Sequence, residues 1–584
     1  MSNPIPITEI AGQKLSGEQT AYLDGFFSGL RNRGLSFGDV IPNPAAPPAT
    51  RAVPNLEELI PEERIKRELH PLDAYPLLLQ HAAANQAPDK ENLFRFKWQG
   101  LFYLTPNKES FMARLRIPGG QLKTFQLREI ANVAQELTTG YVQITTRANL
   151  QIRLIAPKDT AEVLRRIQGV GLHTRGAGAD NVRNLTCDPT SGLDPLERIE
   201  TLPLVHALAQ VILNTREFYD LPRKFNIAVS GGGRISSVED TNDIGWTAVK
   251  LERDKNGFKA GIYFRCALGG ATGHKSFARD LGVLVTPEEV VPVTSALLRV
   301  YIAFGNRGDR KKARLKHLLE TWTLDQYLAE TEKVLGHPLP RDPLSAQLET
   351  RNPKPETAHP HVGVFQQKQP GLNWVGVVIP VGQITPRQMH RLAELADLYG
   401  SGEVRLTVWQ NLIIPNVADG YVETLKKALV KMGFDWRQSN LKSGFIACTG
   451  NSYCKFASSN TKGHAIELMN HLDRKFQLDQ PINVHLTGCP NSCAQHYMGD
   501  LGLLGAKVKV EGESVEGYHI FVGGGFGSRQ AVGRQLFQGV SVNMLKPTME
   551  KIIGGWLEHR APGESFQSFT MRHDIGKLQE LLGS

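Results

Sequence analysis

The chain has 584 residues, which is too long for a single hydrophobic core and predicts several domains. Its content of 41% hydrophobic and 21% charged residues is ordinary for a globular protein. No apolar run is long enough to span a bilayer and the first residues lack a secretory signal, so we expect a cytoplasmic protein without membrane contact. The net charge of +9 fits an anionic substrate or an acidic partner; nucleic acid is disfavoured because no basic run is interleaved with aromatic residues.

Secondary structure is predicted most clearly beyond residue 100. Residues 1–75 are expected to form an N-terminal extension and linker, to which the sequence assigns no chemistry. Residues 111–117 alternate between apolar and polar side chains and predict a strand, and residues 126–137 carry apolar side chains at helical spacing. Residues 141–154 alternate again and predict a strand pair or one long strand.

This unit recurs later in the chain. After a shift of 262 residues, segment 117–152 matches segment 379–414 at 13 of 36 positions, whereas unrelated segments match at roughly one position in sixteen. The second part of each copy agrees as well, since residues 226–232 align with residues 483–489. We therefore expect an internally duplicated α/β (α+β) protein whose copies meet at a pseudo-twofold interface, a natural place for a large cofactor.

Four of the six cysteines occur in two close pairs. Five residues separate Cys448 from Cys454, and three separate Cys489 from Cys493. These spacings do not fit a redox dithiol and disfavour a zinc ribbon, although a structural zinc site and two disulfides remain alternatives. Four thiolates from two loops suit a cubane iron–sulfur cluster, which takes four cysteine ligands.

The second pair lies in the segment Thr-Gly-Cys-Pro-Asn-Ser-Cys at residues 487–493. Together with the first pair, this segment resembles the cluster motif of the sirohaem- and 4Fe-4S-containing nitrite and sulfite reductases, and the resemblance extends over about residues 95–580. It implies that the four cysteines hold a 4Fe-4S cluster and that Cys493 also bridges to the sirohaem iron. It further implies two ferredoxin-like half-domains and two larger α/β domains that bind sirohaem and cluster, at residues 95–165, 170–340, 357–425 and 430–584 in chain order.

Three basic residues match positions at which this family places substrate-binding cations, namely Arg114, Arg183 and Lys224. Taken alone, each is more often a solvated surface charge. The resemblance implies that these residues and Asn226 bind and protonate a small oxyanion, for which N–H donors replace the lost hydration. At the position of Asn226, sulfite reductases commonly carry a second lysine and nitrite reductases an asparagine, so nitrite, which carries one charge, is favoured over dianionic sulfite.

Sirohaem carries several carboxylates, so its pocket is expected to be basic. The segment 145–151 matches a family segment that contacts the macrocycle, and further candidates lie in both copies. The predicted sirohaem contacts are Arg147, Asn149, Gln151, Arg223, Arg307, Arg310, Gln410, Asn411 and Cys493. The basic run at 306–316 also fits the solvated start of a helix. Trp409 stands where the first copy has Arg147, so the two copies are not expected to have the same role.

No dinucleotide-binding motif is visible, because the glycine-rich segments 523–527 and 176–178 lack the GxGxxG spacing. Electrons are therefore expected from another protein, and the resemblance implies reduced ferredoxin or flavodoxin. It implies a monomeric, assimilatory enzyme that reduces nitrite to ammonium with six electrons. The alternatives are a ferredoxin-dependent sulfite reductase with the same cofactors and a non-enzymatic iron–sulfur protein.

Overall fold

A computed structural model of the chain describes residues 9–10, 13–14, 58–104, 109–255, 257–341 and 359–583. The chain divides into two compact units, Met1–Asn55 and Leu56–Ser584. In the first unit, β1 (Glu9–Ile10) and β2 (Gln13–Lys14) form an antiparallel pair. All site residues predicted from the sequence lie in the second unit.

The second unit opens with three helices, α1 (Pro61–Glu68), α2 (Tyr75–Ala83) and α3 (Asn92–Arg95). Helix α1 starts with a proline and carries two glutamates in its first turn, which are ordinary helix-start signals. Its buried Lys66 lies 2.5 Å from Glu63 and 3.2 Å from Asp220, so charge pairs attach α1 to the rest of the unit. The compact unit therefore begins before the boundary expected at residue 75.

The first copy of the duplicated unit consists of a smaller and a larger region. The smaller region contains β3 (Leu101–Leu104), β4 (Ser110–Arg114), β5 (Gln121–Lys123), α4 (Thr124–Leu137), β6 (Val142–Ile144), β7 (Leu150–Ile155) and α5 (Thr160–Gly169). The larger region contains β8 (Thr186–Cys187), α6 (Leu202–Asn214), β9 (Ile227–Ser230), β10 (Ile244–Leu251), β11 (Gly261–Leu268), β12 (Arg279–Val285), α7 (Val290–Phe304), α8 (Leu315–Thr321) and α9 (Leu324–Leu335). Strand β4, helix α4 and the pair β6–β7 confirm the elements predicted over residues 111–154.

The second copy repeats this order. Its smaller region contains β13 (Gly363–Gln366), β14 (Leu372–Val377), β15 (Gln383–Ile384), α10 (Pro386–Tyr399), β16 (Glu403–Leu406), β17 (Leu412–Ala418) and α11 (Asp419–Lys431). Its larger region contains β18 (Phe445–Ala447), α12 (Thr461–Lys475), β19 (Val484–Thr487), β20 (Leu501–Val510), β21 (Glu513–Val522), β22 (Arg534–Ser541), α13 (Val542–His559), α14 (Phe566–Met571) and α15 (Ile575–Gly583). The predicted duplication is confirmed.

The smaller regions exchange a strand and thereby form a pseudo-twofold pair. The sheet orders are β15-β6-β7-β4-β3 and β5-β16-β17-β14-β13, so each sheet receives one short strand from the other copy. A side-chain carbon at Gly120 would lie 2.4 Å from the Leu406 carbonyl oxygen, and one at Gly382 would lie 2.5 Å from that of Ile144. Only glycine permits this reciprocal approach. One hydrophobic core then spans both smaller regions, with α4 against α10.

The larger regions have mixed sheets of order β8-β9-β10-β11-β12 and β18-β19-β20-β21-β22. In each, the first three strands are parallel and the later pairs are antiparallel. Parallel neighbours end at the same edge of a sheet, so the loops that follow β18 and β19 meet there. Each larger sheet has its own hydrophobic core. Within the part of the chain that the structure describes, no helix combines the length and apolar character needed to cross a bilayer.

Candidate functional site

The four paired cysteines lie together at the edge where β18 and β19 end. Cys448 directly follows β18, and the N–H of Gly488 donates a hydrogen bond to its sulfur at 3.2 Å. Burial raises the pKa of the Cys489 thiol, and the nearby Cys454 and Cys448 raise it further. Cys493 is reachable by solvent, yet protein surrounds it closely enough that desolvation, followed by the charges of the other three thiols, raises its pKa to about 11. These mutual effects require the four sulfurs to be neighbours.

The donor set fits a polynuclear cluster better than a single metal ion. Among the described residues, no three His, Cys, Asp or Glu side chains converge on one metal position. A side-chain carbon at Gly488 would lie 2.6 Å from the Ala457 Cβ and 3.6 Å from the Cys448 sulfur, so glycine keeps the space beside the sulfur open. Four soft thiolates with an N–H donor aimed at a sulfur are the ligands and surroundings that a 4Fe-4S cluster uses.

The three cations predicted to bind substrate converge near Cys493. Arg114 and Arg183 both donate to the carbonyl oxygen of Ala177, at 3.3 and 2.9 Å. Burial, and next the Arg114 charge, hold the pKa of Arg183 well below its usual range. Burial lowers the pKa of Arg114 to about 10, although the charge of Cys493 acts to raise it. The sequence prediction that these residues share one site is therefore consistent with their placement.

Lys224 is the third of these cations. Burial, and next the cation Arg314, lower the pKa of Lys224 to about 7, whereas Cys493 acts to raise it. No described carboxylate forms an ion pair with Lys224, Arg114 or Arg183, although many other arginines and lysines of the chain are paired. Half-buried cations without a paired carboxylate favour an anionic ligand, because it would supply the missing charge and accept their N–H donors.

Asn226, the predicted specificity position, is held by a buried carboxylate. Its backbone N–H and its side-chain amide both donate to Oδ2 of Asp243, at 2.8 and 3.3 Å. The second copy has the same arrangement, in which Asn483 donates to Asp500 at 2.8 and 3.3 Å. The amide therefore has a structural partner in both copies, and its role toward an anion stays a prediction. Arg314, which the sequence did not single out, makes hydrogen bonds of 2.9–3.2 Å to Asp243.

The segment 145–151, predicted to contact the macrocycle, lies beside the last cysteine. The hydroxyl of Thr146 donates to the Cys493 carbonyl oxygen at 3.0 Å. Arg147 donates to the side chain of Asn242, and burial lowers the pKa of Arg147 to about 10. The other two candidates have internal partners, because Asn149 donates to the carbonyl of Leu115 at 3.0 Å and Gln151 accepts from Arg153 at 2.7 Å.

The basic candidates Arg223, Arg307 and Arg310 are paired with carboxylates. Arg310 makes two hydrogen bonds of 2.8 Å to Asp180, and Arg223 lies 3.7 Å from the same carboxylate. Arg307 lies 2.8 Å from Glu63 and 3.2 Å from Asp220. The paired carboxylates favour a structural role for Arg307 and Arg310, and the predicted contact with sirohaem stays untested for all three residues.

The polar residues Gln410 and Asn411 lie in the second copy, and Gln410 supports the loop of the first cysteine, Cys448. Gln410 brackets the residue before Cys448, because its amide donates to the Ala447 carbonyl at 3.0 Å and accepts from the Ala447 N–H at 3.0 Å. Asn411 bonds the ring of His361 at 3.0 Å and accepts from the Ile379 N–H at 2.9 Å. Gln410 thus positions the start of the loop that carries Cys448, and direct contact of either residue with sirohaem stays a prediction.

The first copy repeats the cysteine loops without the thiols. The register of β8 on β9 matches that of β18 on β19. With the alignment of 226–232 to 483–489, the counterparts of Cys448, Cys454, Cys489 and Cys493 are Asp188, Asp194, Gly232 and Ser236. The Gly231 N–H donates to the Asp188 carboxylate at 2.8 Å, as the Gly488 N–H does to a sulfur. The backbone arrangement of these loops is the same in both copies, whereas the paired cysteines occur in the second copy.

In the second copy, the position equivalent to Arg147 is Trp409, which belongs to a cluster of aromatic rings. Trp409 stacks on His361 with ring centres 5.4 Å apart and planes 4° apart, and it also lies near His485 and Phe526, at 6.4 and 5.1 Å. Burial lowers the pKa of His485 to about 4 and holds the pKa of His361 well below its usual range. The predicted divergence of the two copies at this position thus places neutral rings where the first copy has a cation.

We expect these buried histidines to make the protein acid-sensitive. The unfolded chain takes up protons near pH 6.5, whereas folded His485 does so only near pH 4, so each such residue removes about 1.4 kcal/mol from the free energy of unfolding per pH unit as the pH falls through that window. The thermal midpoint measured between pH 7.5 and 5 should therefore fall with pH. The midpoint should fall less steeply with pH in His361→Asn, whose side chain does not titrate. Equal slopes in the variant and the wild type would show that His361 does not contribute to the acid sensitivity.

Comparison with known proteins agrees with this geometry. Residues 178–339 and 441–583 match the family model described as the nitrite and sulphite reductase 4Fe-4S domain, and residues 103–170 and 365–432 match the nitrite/sulfite reductase ferredoxin-like half domain. A ferredoxin–nitrite reductase of Synechococcus elongatus is 36% identical over 86% of this chain and 98% of its own length. A ferredoxin sulfite reductase of Mycolicibacterium paratuberculosis is 31% identical over 90% and 97%. The solved structure of Mycobacterium tuberculosis NirA has a TM-score of 0.82 and 28% identity, covering 89% of this chain and 97% of that one.

The fold and the site define an oxidoreductase built from two fused, diverged copies, one of which carries the four paired cysteines. The chain belongs to the nitrite and sulfite reductase family. Members of this family use sirohaem and a 4Fe-4S cluster, and the residues described above fit the cluster.

Proposed function

We propose that this enzyme is a ferredoxin-dependent nitrite reductase that reduces nitrite to ammonium with six electrons, at a sirohaem linked to the 4Fe-4S cluster through Cys493. The observation that carries the proposal is the grouping of Arg114, Arg183 and Lys224 near Cys493, with no ion pair to any carboxylate that the structure describes. The nitrite reductase relatives, matched over nearly their full length, support it. The redox chemistry is supplied by the two cofactors. The monomeric state and the cytoplasmic location stay predictions from the sequence.

The three cations would hold the substrate and deliver protons. The guanidinium groups of Arg114 and Arg183 present N–H donors that replace the hydration of a small oxyanion. Both N–O bonds must break with the oxygens leaving as water, so protons are needed at those atoms. The ammonium group of Lys224, whose pKa burial lowers to about 7, is suited to give up a proton near neutral pH and to recover it from solvent.

Sulfite is the second candidate substrate, because a relative named as a ferredoxin sulfite reductase matches this chain almost as widely. The test is the kcat/KM of the purified enzyme for nitrite and for sulfite, with reduced ferredoxin as donor. A clear preference for nitrite supports the proposal. A preference for sulfite would assign the chain to the second activity, with the cofactor assignment unchanged.

Replacing Asn226 with lysine should shift the preference toward sulfite. The added cation next to Lys224 favours the dianion, and a charge-assisted hydrogen bond contributes roughly 1.5–3 kcal/mol, or about 10–150-fold. Because Asp243 is already bound to Arg314, the new ammonium meets a partly neutralised carboxylate. We expect the sulfite-to-nitrite ratio of kcat/KM to rise at least about tenfold. A ratio within about twofold of the wild type, with cofactors retained, would show that Asn226 does not set specificity.

Electron supply by ferredoxin should depend on salt. The chain carries a net charge of +9, and ferredoxins are acidic, so long-range attraction accelerates their encounter at low ionic strength. Phe456, which is 61% exposed, follows the ligand Cys454 by two residues and gives the donor an apolar contact near the cluster. Raising the salt toward 1 M should slow ferredoxin-driven turnover several-fold and slow turnover with a small artificial reductant much less. Equal slowing with both donors would contradict charge-steered docking.

A further inference from the structure

Lys462 is buried beside the first cysteine loop and plays no part in the proposed handling of nitrite. Its side chain is 3% exposed. The ammonium group donates to the carbonyl oxygens of Val381 and of Ala447, the latter at 3.2 Å. Ala447 is the residue immediately before Cys448, so the charge lies next to a cluster ligand.

The position is unfavourable for a cation unless negative charge is near. Lys462 is the second residue of α12, and the first turn of a helix favours anions. No described carboxylate forms an ion pair with it, and burial of an uncompensated charge is strongly unfavourable. Burial lowers the pKa of Lys462 to about 7, and the Cys448 sulfur acts to raise it. The negative charge that fits is therefore that of the thiolates and of the group they bind.

A second buried cation, on strand β7, contacts the same loop. Arg153 is 4% exposed and donates to the hydroxyl of Thr449 at 2.8 Å and to Gln143 at 3.2 Å. No described carboxylate forms an ion pair with Arg153 either. Burial lowers its pKa to about 10, and Cys454 is among the groups that raise it. Two uncompensated cations thus flank the loop from Cys448 to Cys454.

The first copy, which lacks the four paired cysteines, has no such lysine. In the first copy, Leu202 packs on Gly119, and a side-chain carbon at Gly119 would lie 2.5 Å from it. Gly119 is the counterpart of Val381, to which Lys462 donates, so Leu202 occupies the position equivalent to Lys462. The same scaffold position is apolar in the copy that lacks the paired cysteines and cationic in the copy that has them. This contrast ties the charge to the cysteine loop rather than to the fold.

We propose that Lys462 and Arg153 are fixed counter-ions that raise the reduction potential of the 4Fe-4S cluster. The inference rests on the proposed function, in which the cluster accepts one electron at a time from an external donor. That step breaks no bond and makes the cluster and its four thiolates more negative by one charge. A nearby fixed cation stabilises the reduced form more than the oxidised form, because Coulomb attraction grows with the charge. Neither residue would touch the substrate; both would act on the charge of the cluster.

The test is a potentiometric titration of the holoenzyme with dithionite, followed by the EPR signal of the reduced cluster. Lys462→Met should lower the equilibrium constant for one-electron reduction at least tenfold, which corresponds to 59 mV. Lys462→Arg keeps the charge and should stay close to the wild type. Arg153→Gln should shift the potential in the same direction. An unchanged potential in Lys462→Met and in Arg153→Gln, with full iron and sulfide content, would overturn the proposal.

Two outcomes separate this inference from the proposed function. If Lys462→Met does not assemble the cluster, the potential of Arg153→Gln decides, since a shift supports the counter-ion role and no shift overturns it. If the wild-type protein itself contains no cluster, the proposed function fails. A wild-type enzyme with cluster and nitrite activity, but with variants of unchanged potential, retains the function and loses only the counter-ions.

Discussion

Replacing Cys489 with serine is expected to abolish cluster assembly and, with it, nitrite reduction by ferredoxin. Cys489 is buried at the edge where β18 and β19 end, among three other thiols. Serine offers a hard and poorly acidic oxygen in place of a soft thiolate, so the fourth iron ligand is lost. Iron and acid-labile sulfide should fall to a small fraction of the wild-type content, and ferredoxin-driven activity should fall to background.

The matched control is Cys187→Ser. Cys187 is also buried, but it lies in β8 of the first copy, and its sulfur interacts with the Thr201 side chain rather than with other thiols. This variant should retain its iron, its sulfide and most of its activity. Full iron content in Cys489→Ser, or equal loss in both variants, would contradict the assignment of the cluster ligands.

Replacing Lys224 with methionine is expected to have the next largest effect. The substitution roughly keeps the length of the side chain and removes one of the three cations near Cys493 that form no ion pair with a described carboxylate. Loss of a charge-assisted hydrogen bond of roughly 1.5–3 kcal/mol predicts a fall of about 10–150-fold in kcat/KM for nitrite, and loss of the proton donor adds to it. Lys224→Arg should recover part of the binding and less of the proton transfer.

Lys312→Met provides the control, because Lys312 is an exposed lysine in the same larger region. It should leave kcat/KM for nitrite close to the wild-type value with a small artificial reductant. Both proteins should bind sirohaem normally. Equal activity of Lys224→Met and Lys312→Met would remove Lys224 from the substrate site.

The sequence predicted the architecture well, because repetition and periodicity are local or comparative signals. The 262-residue shift identified the two copies, and the exchanged strands around Gly120 and Gly382 are the physical form of that repeat. The predicted extension, residues 1–75, includes helix α1, although its start with Pro61 and two glutamates is itself a signal for a helix. The neighbouring Pro-rich segment favours a linker over this helix signal.

Side-chain partners distant in sequence were not predictable. Arg307 and Arg310 belong to a basic run, but Glu63 and Asp180, with which they pair, lie far away in the chain. From the sequence alone, the run therefore predicts contacts with a polyanion such as sirohaem. Arg314, a few residues on, is the member whose charge reaches Lys224. No local pattern distinguishes the three arginines, because only the tertiary fold decides which carboxylate each of them meets and which of them lies near Lys224.

The visible absorption spectrum of the purified protein, recorded before and after addition of nitrite, decides whether the chain is a sirohaem nitrite reductase. We expect the bands of a sirohaem together with a cluster contribution, and a change of the haem bands at nitrite concentrations that support turnover. The Lys224→Met protein should show the same starting spectrum and need more nitrite for the same change. A correctly folded wild-type protein that was produced with a supply of sirohaem and iron, yet shows no haem bands, would contradict the account.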